Sequence, residues 1–225
     1  MIALITGANR GIGLELARLM AQRGDVVIGT SRQASEATDL VAMGVTVLPL
    51  DVLDPSSIDS LGAAMAGRPI DVLVNNAGVS SESKTLASCT AAELARVLAT
   101  NATGPVLVAK ALMPSLEAGS RRLIVNVSSQ LGSIRNNTGG SSYGYRASKA
   151  ALNMLTQKLS DELAAELPGS CTVALHPGWV QTDMGGPQAP LTVQQAAATI
   201  IKTIDGLKPE QTGAYLNTDG TGLPW

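Results

Sequence analysis

Histidine occurs once in this chain, phenylalanine not at all, and cysteine only twice among 225 residues. One histidine removes every mechanism that needs a pair, and two cysteines with one histidine complete no tetrahedral zinc site. No metal centre is expected. Cys89 and Cys171 stand far apart with no CxxC spacing, so they read as reduced, buried small hydrophobes. Charge is scarce as well: 15% of residues are charged and the net charge is −2, which leaves no basic footprint for nucleic acid or an anionic membrane. The longest uncharged run, Met184–Ile201, contains Pro187, Pro190 and three glutamines and is unsuited to cross a membrane. Met1 leads directly into a short apolar strand, not a basic segment followed by a long hydrophobic stretch, so no secretory leader and a cytoplasmic location are expected. With only three tyrosines and two tryptophans, the tyrosine positions become informative.

What the chain does have is apolar content, 45% of residues, and 23 glycines. Strand candidates are Ile2–Thr6, Asp25–Thr30, Thr46–Leu50, Asp71–Asn75, Arg122–Val127, Cys171–His176 and Ala214–Asn217. Several are continuous apolar runs, the pattern of parallel strands covered on both faces. Between them lie helical stretches near 11–23, 33–43, 55–66, 90–118, 143–167 and 192–205. Asp54 before Pro55 reads as an N-cap with a first-turn proline, and Gly24, Gly44 and Gly67 stand where helices should stop. Strands alternating with helices imply right-handed βαβ units and a doubly wound sheet. No repeat, linker or composition break divides the chain, so one domain over 1–225 is expected.

Thr6-Gly7-Ala8-Asn9-Arg10-Gly11-Ile12-Gly13 follows the first strand and opens the first helix. Glycines at such a turn let the backbone approach a pyrophosphate, whose charge meets the helix N-terminus. The spacing is GxxxGxG with no following Lys-Ser/Thr, which argues against a Walker-type loop. A ribose 2′-hydroxyl usually calls for an acid near the end of the second strand, yet that strand ends Gly29-Thr30-Ser31-Arg32. Arg32 and Arg10 suit a 2′-phosphate, so NADP is the expected dinucleotide; two solvated surface arginines are the other reading. Asp51 is placed either to accept from the adenine amine or simply to form a turn before Asp54.

Tyr145 and Lys149, four apart in a helical segment, share one face. An ammonium beside a phenol favours the phenolate and predicts a tyrosine pKa lowered toward working pH. Tyr143 lies on a different face, and Tyr215 reads as purely structural. His176 has no Ser or Asp partner for a triad and reads as structural.

The glycine turn, Asn75-Asn76-Ala77-Gly78, Tyr145-x-x-x-Lys149 and Pro177-Gly178 occur in an order that resembles the short-chain dehydrogenase/reductase family over nearly the full chain. Finer similarity, through residues 126–134, 136–153, 177–186 and Leu223-Pro224-Trp225, is to its C-factor and sniffer-like carbonyl reductases. The resemblance implies an α/β fold of Rossmann type: a doubly wound parallel sheet of about seven strands with helices on both faces. It implies Tyr145 as the acid/base, Lys149 as the holder of the nicotinamide ribose, and Asn101 as the anchor of a relay water, against a bland reading of Asn101 as a polar residue at a helix kink before Pro105. It also implies a substrate-orienting serine three residues before a glycine, which selects Ser129, ahead of Gly132, over Ser128. A polar insertion, Asn136–Gly140, lengthens the path from Ser129 to Tyr145. Cofactor contacts are expected at Gly7, Asn9, Arg10, Gly11, Ile12, Gly13, Ser31, Arg32, Asp51, Val52, Asn75, Ala77, Gly78, Tyr145, Lys149, Pro177, Gly178, Val180 and Thr182.

The function so implied is NADP(H)-dependent reduction of a ketone, aldehyde or quinone, reversible as alcohol oxidation. The short stretch Asp183–Leu191 suggests an open site walled by Trp179, Met184, Gln130 and Leu131. A C-factor-like signalling protein on the same scaffold is the alternative, and a dinucleotide-dependent epimerase is disfavoured for want of a larger C-terminal region. Pairing through the long helices, as a homodimer or homotetramer, is expected.

Overall fold

Residues 1–225 are described by a computed structural model. Seven strands form one sheet: β1 (Ile2–Ile5), β2 (Val26–Ser31), β3 (Thr46–Pro49), β4 (Val72–Asn75), β5 (Leu123–Val127), β6 (Cys171–Leu175) and β7 (Tyr215–Leu216). All neighbours are parallel, in the order β3-β2-β1-β4-β5-β6-β7. This is the expected doubly wound sheet of Rossmann type, with each strand candidate present. β7 is the shortest, because its segment turns back at Gly222 to pair with Leu216.

The helices are α1 (Gly11–Gln22), α2 (Thr38–Ala42), α3 (Pro55–Ala64), α4 (Ala91–Leu98), α5 (Gly104–Ala111), α6 (Met113–Ala118), α7 (Tyr143–Glu166) and α8 (Val193–Gly206). Asp54 caps α3, its carboxylate accepting from Ser56 N–H at 2.9 Å with Pro55 in the first turn. Gly24, Gly44 and Gly67 follow α1, α2 and α3 with positive φ. Two stretches differ from expectation. Residues 33–43 divide into a 3₁₀ turn, Ala34–Glu36, and the short α2, because Ala37 between them leaves helical geometry. Residues 90–118 divide at a π-turn, Ala99–Thr103, and again at Leu112, next to Gly104-Pro105 and Met113-Pro114.

Alternation along each buried strand sends odd and even residues to opposite faces. Ala3, Ile5, Val72, Val74, Val125 and Val173 pack with α1 and α8 on one side. Leu4, Leu73 and Ile124 pack with α3, α5 and α6 on the other. Asp71 ties the strand starts together, accepting from Ile2 N–H and from Ser120 N–H, each at 2.8 Å. Strand order reverses between β1 and β4, so loops leaving their carboxyl ends part and open a crevice. No helix is long and apolar enough to cross a membrane.

Candidate active site

The crevice begins at the glycine turn. Thr6 Oγ1 accepts from the N–H groups of Asn76 and Ala77, both at 3.0 Å. In return, Asn76 Nδ2 donates to the carbonyls of Thr6 and Gly7 at 3.0 and 3.1 Å. The turns after β1 and β4 are thereby joined. Gly7 and Gly11 hold φ of 63° and 55°, and a Cβ on Gly13 would stand 2.5 Å from Asn76 Nδ2. Arg10, the N-cap of α1, supplies no side-chain cap, and no acid sits in the first turn. The first-turn N–H groups are left for an anion.

One cavity of about 590 Å³ runs from this turn. Of the expected cofactor contacts, its wall holds Gly7, Asn9, Arg10, Gly11, Ile12, Ser31, Arg32, Asp51, Val52, Ala77, Gly78, Tyr145, Lys149, Pro177 and Thr182. Four do not line it, and each has a physical reason. Asn75 donates its amide to Pro105 O and Asn126 Oδ1 inside the protein. Gly13 is pressed against Asn76 and Gly7. Gly178 turns at φ 84° beneath Leu191, and Val180 is buried where it bridges to Leu191. Arg32 is exposed with no acidic partner, whereas Arg10 reaches across to pair with Asp183. A cavity with free helix N–H groups at its middle and a free guanidinium at one end fits an extended, phosphate-bearing molecule such as a dinucleotide. No group of three or more His, Cys, Asp or Glu side chains is placed to hold a metal ion.

The far end holds Tyr145 and Lys149, one turn apart on α7. Lys149 is buried with no carboxylate beside it. Its Nζ donates to Val127 O at 2.7 Å and lies 5.7 Å from the Tyr145 ring centroid. Burial pulls its pKa down to about 8. Tyr145 departs from expectation: burial pushes its phenol up, and a hydrogen bond with Ser129 only opposes the rise. The ammonium is committed to a carbonyl and brings no net lowering, so the phenol keeps its proton at neutral pH.

The two serines point apart, as successive residues leaving a strand must. Ser129 is near enough to Tyr145 to oppose the rise of its phenol, while Ser128 Oγ donates to Asn153 Oδ1 at 2.5 Å. Ser129 also opens the 3₁₀ turn Gln130–Gly132, its Oγ accepting from Leu131 N–H at 3.2 Å. Asn101 sits in the π-turn, fully buried: Oδ1 accepts from Val79 N–H at 2.8 Å, and Nδ2 donates to Val79 O at 2.8 Å and Ser148 Oγ at 3.0 Å. It is thus a brace between the loop after β4 and α7, seated on a widened turn ahead of Pro105. Neither Ser129 nor Asn101 lines the cavity.

Of the expected substrate walls, only Met184 reaches the cavity. Trp179 is 54% exposed and donates Nε1–H to Gly185 O at 2.8 Å, which folds the 177–185 loop. His176, 7% exposed, has no partner for Nδ1, and burial lowers its pKa to about 4. Cys171 is buried, its thiol pushed up to about 11 by burial first, whereas Cys89 is only partly buried, against expectation. The wall also holds Asn76, Arg96, Asp183 and Ser128, the serine passed over in favour of Ser129. Asn76 was within the quoted motif; Arg96 and Asp183 carry no local signal. Tyr215, expected to be structural, is buried, and its hydroxyl donates to Ser129 O.

The family model described as short chain dehydrogenase matches residues 1–190. The chain is 46% identical over 157 residues to C-signal of Myxococcus xanthus, covering 70% of this chain and 93% of that protein. Carbonyl reductase Sniffer of D. melanogaster superposes with a TM-score of 0.91 at 35% identity, covering 99% of this chain and 98% of that one. The NADPH-bound carbonyl reductase from chicken fatty liver superposes with a TM-score of 0.90 at 33% identity, with the same coverages, 99% and 98%.

Proposed function

The chain belongs to the short-chain dehydrogenase/reductase family, and from that membership we propose that it is an NADPH-dependent carbonyl reductase, reversible as an alcohol dehydrogenase. The observation that carries the reading is the single cavity joining the acid-free, arginine-bearing end of β2 to Tyr145 and Lys149. An NADPH-bound relative of the same fold supports the choice of cofactor.

When bound, NADPH supplies the hydride. The chain's own residues do the rest. The glycine turn and the first N–H groups of α1 hold the pyrophosphate, Arg32 takes the 2′-phosphate, and Asp51 and Val52 flank the adenine. Lys149, buried and donor-only, grips ribose hydroxyls. Tyr145, protonated at neutral pH because burial holds its phenol up, gives its proton to the substrate carbonyl oxygen. Ser129 donates a hydrogen bond to the same oxygen as charge develops there. Asn101 keeps the Val79 loop and α7 in register around them.

The 183–191 stretch is short, and Met184 is 48% exposed beside Trp179. An open mouth with the exposed Met184 on its wall suits ketones, aldehydes and quinones of varied shape. Replacement Tyr145→Phe should lower NADPH-dependent reduction of phenanthrenequinone by roughly 10²–10⁴-fold, with NADPH binding by fluorescence titration unchanged. A wild-type protein that oxidises no NADPH with any ketone, aldehyde or quinone overturns the reading.

A signalling role on this scaffold is the second reading, favoured by the 46% identity to C-signal. It predicts that Tyr145→Phe, still binding NADPH, retains function in the cell. We also propose a homodimer or homotetramer assembled through α4–α6 and α7; light scattering at micromolar concentration should give a multiple of the 23.0 kDa chain, and a monomer there removes the proposal.

A further inference from the structure

The loop from β5 to α7 has a weakness that the segment Tyr215–Trp225 makes good. After Ser133, residues 134–141 are all exposed. This includes the polar insertion Asn136–Gly140, so the long loop offers Ser129 little support from its own side. Support comes instead from across the sheet edge. The Tyr215 hydroxyl, buried, donates to the carbonyl of Ser129, which also accepts from Gly132 N–H at 2.8 Å. The Trp225 ring stacks on the Tyr215 ring, centroids 5.1 Å apart and planes 23° apart. Further hydrogen bonds then bind the two segments: Ser133 Oγ donates to Pro224 O at 2.6 Å, Arg135 N–H donates to Trp225 O at 3.0 Å, and Leu223 N–H donates to Tyr215 O at 2.7 Å. On its other side the Gln130–Gly132 turn lies against α7 itself, for a Cβ on Gly132 would stand 2.7 Å from the Lys149 carbonyl carbon. Ser129 is therefore clamped between the helix carrying Tyr145 and Lys149 and the Tyr215–Trp225 pair.

We propose that Tyr215 and Trp225 are positioning residues, a strut whose phenol hydroxyl sets the Ser129 backbone so that the Ser129 side chain meets Tyr145 and the substrate oxygen. The proposal rests on the reading of Ser129 and Tyr145 as the reacting pair. The strut acts through one hydrogen bond and one ring stack, and each can be removed alone. Tyr215→Phe keeps the stack and deletes the O–H. Trp225→Ala deletes the stack, and Trp225→Phe restores it.

The experiment measures kcat and KM for NADPH with phenanthrenequinone, alongside melting temperature, in these three variants, in Ser129→Ala and in the Tyr215→Phe/Ser129→Ala pair. Tyr215→Phe and Trp225→Ala should each lose roughly tenfold in kcat, the scale of a small misplacement. KM for NADPH and melting temperature should stay near wild type, and Trp225→Phe should recover most of the loss. On the Ser129→Ala background, Tyr215→Phe should cost nothing further, because the group it serves is gone. An equal further loss there, or full kcat in Tyr215→Phe beside an impaired Ser129→Ala, overturns the strut alone. Full activity in Ser129→Ala instead strikes the underlying assignment of Ser129. Tyr215→Phe and Trp225→Phe keep both rings and carry the test if Trp225→Ala does not fold.

Discussion

Buried and without a partner for Nδ1, His176 takes up a proton in the folded protein only near pH 4, against 6.5 for an ordinary histidine. The unfolded chain binds that proton first as pH falls, so stability present above pH 6.5 is lost progressively down to about pH 4. The gap corresponds to about 3 kcal/mol. His176→Gln should flatten this part of the profile: urea unfolding at pH 7 and pH 4 should show a smaller difference in the variant than in the wild type. An unchanged difference would mean the ring is solvated. At the same scale, the shared face of Tyr145 and Lys149 is legible, because spacing along a helix is local geometry; alternation out of a strand sends Ser128 and Ser129 opposite ways without choosing between them, and only Ser128 lines the cavity. The direction of the Tyr145 pKa was not legible. It depends on burial and on Lys149 Nζ being committed to the Val127 carbonyl, both non-local.

Among elements, the Gln130–Gly132 turn explains why a glycine follows the serine at that spacing. The turn lies against the backbone of Lys149, and the atoms a Cβ would meet, at 2.7 to 2.9 Å, include the Lys149 carbonyl, which cannot swing aside. Gly132→Ala should destabilise the protein by about 1–3 kcal/mol. It should also reduce reductase turnover measured well below the melting temperature, since α7 and Ser129 are forced apart. A variant that loses stability but keeps full turnover would show that the turn gives way on the other side. Strands were read from sequence nearly to the residue, as buried parallel strands are uninterrupted β-branched runs. The 90–118 stretch was read as one helix because its Ala and Leu content suits helix throughout. Its break at the π-turn, where Asn101 bonds Val79 and Ser148, 22 and 47 residues away, stands just before Pro105, and its break at Leu112 stands just before Pro114.

For the whole molecule, the decisive feature is that loops from six different strand ends meet along one crevice. The cofactor's length is tested across that span. Arg32, at the end opposite Tyr145, should confer the preference for NADPH. Arg32→Ala should lower kcat/KM for NADPH by roughly tenfold or more, the scale of a charge-assisted hydrogen bond, and leave kcat/KM for NADH nearly unchanged. A wild-type preference for NADH would overturn the assignment. Arg10 starts paired with Asp183, so its share is smaller at the outset.

The sequence by itself determined the layered sheet, the glycine turn and the Tyr145–Lys149 face, because each is written in spacings of a few residues whose geometry is set by helix and strand periods. Tertiary structure alone decided that Asn75, Gly13, Gly178 and Val180 lie off the cavity wall. It likewise turned Arg10 to Asp183, and made Tyr215 a neighbour of Ser129 across 86 residues. Burial, and contact between distant segments, exist only once the sheet has brought its strand ends together.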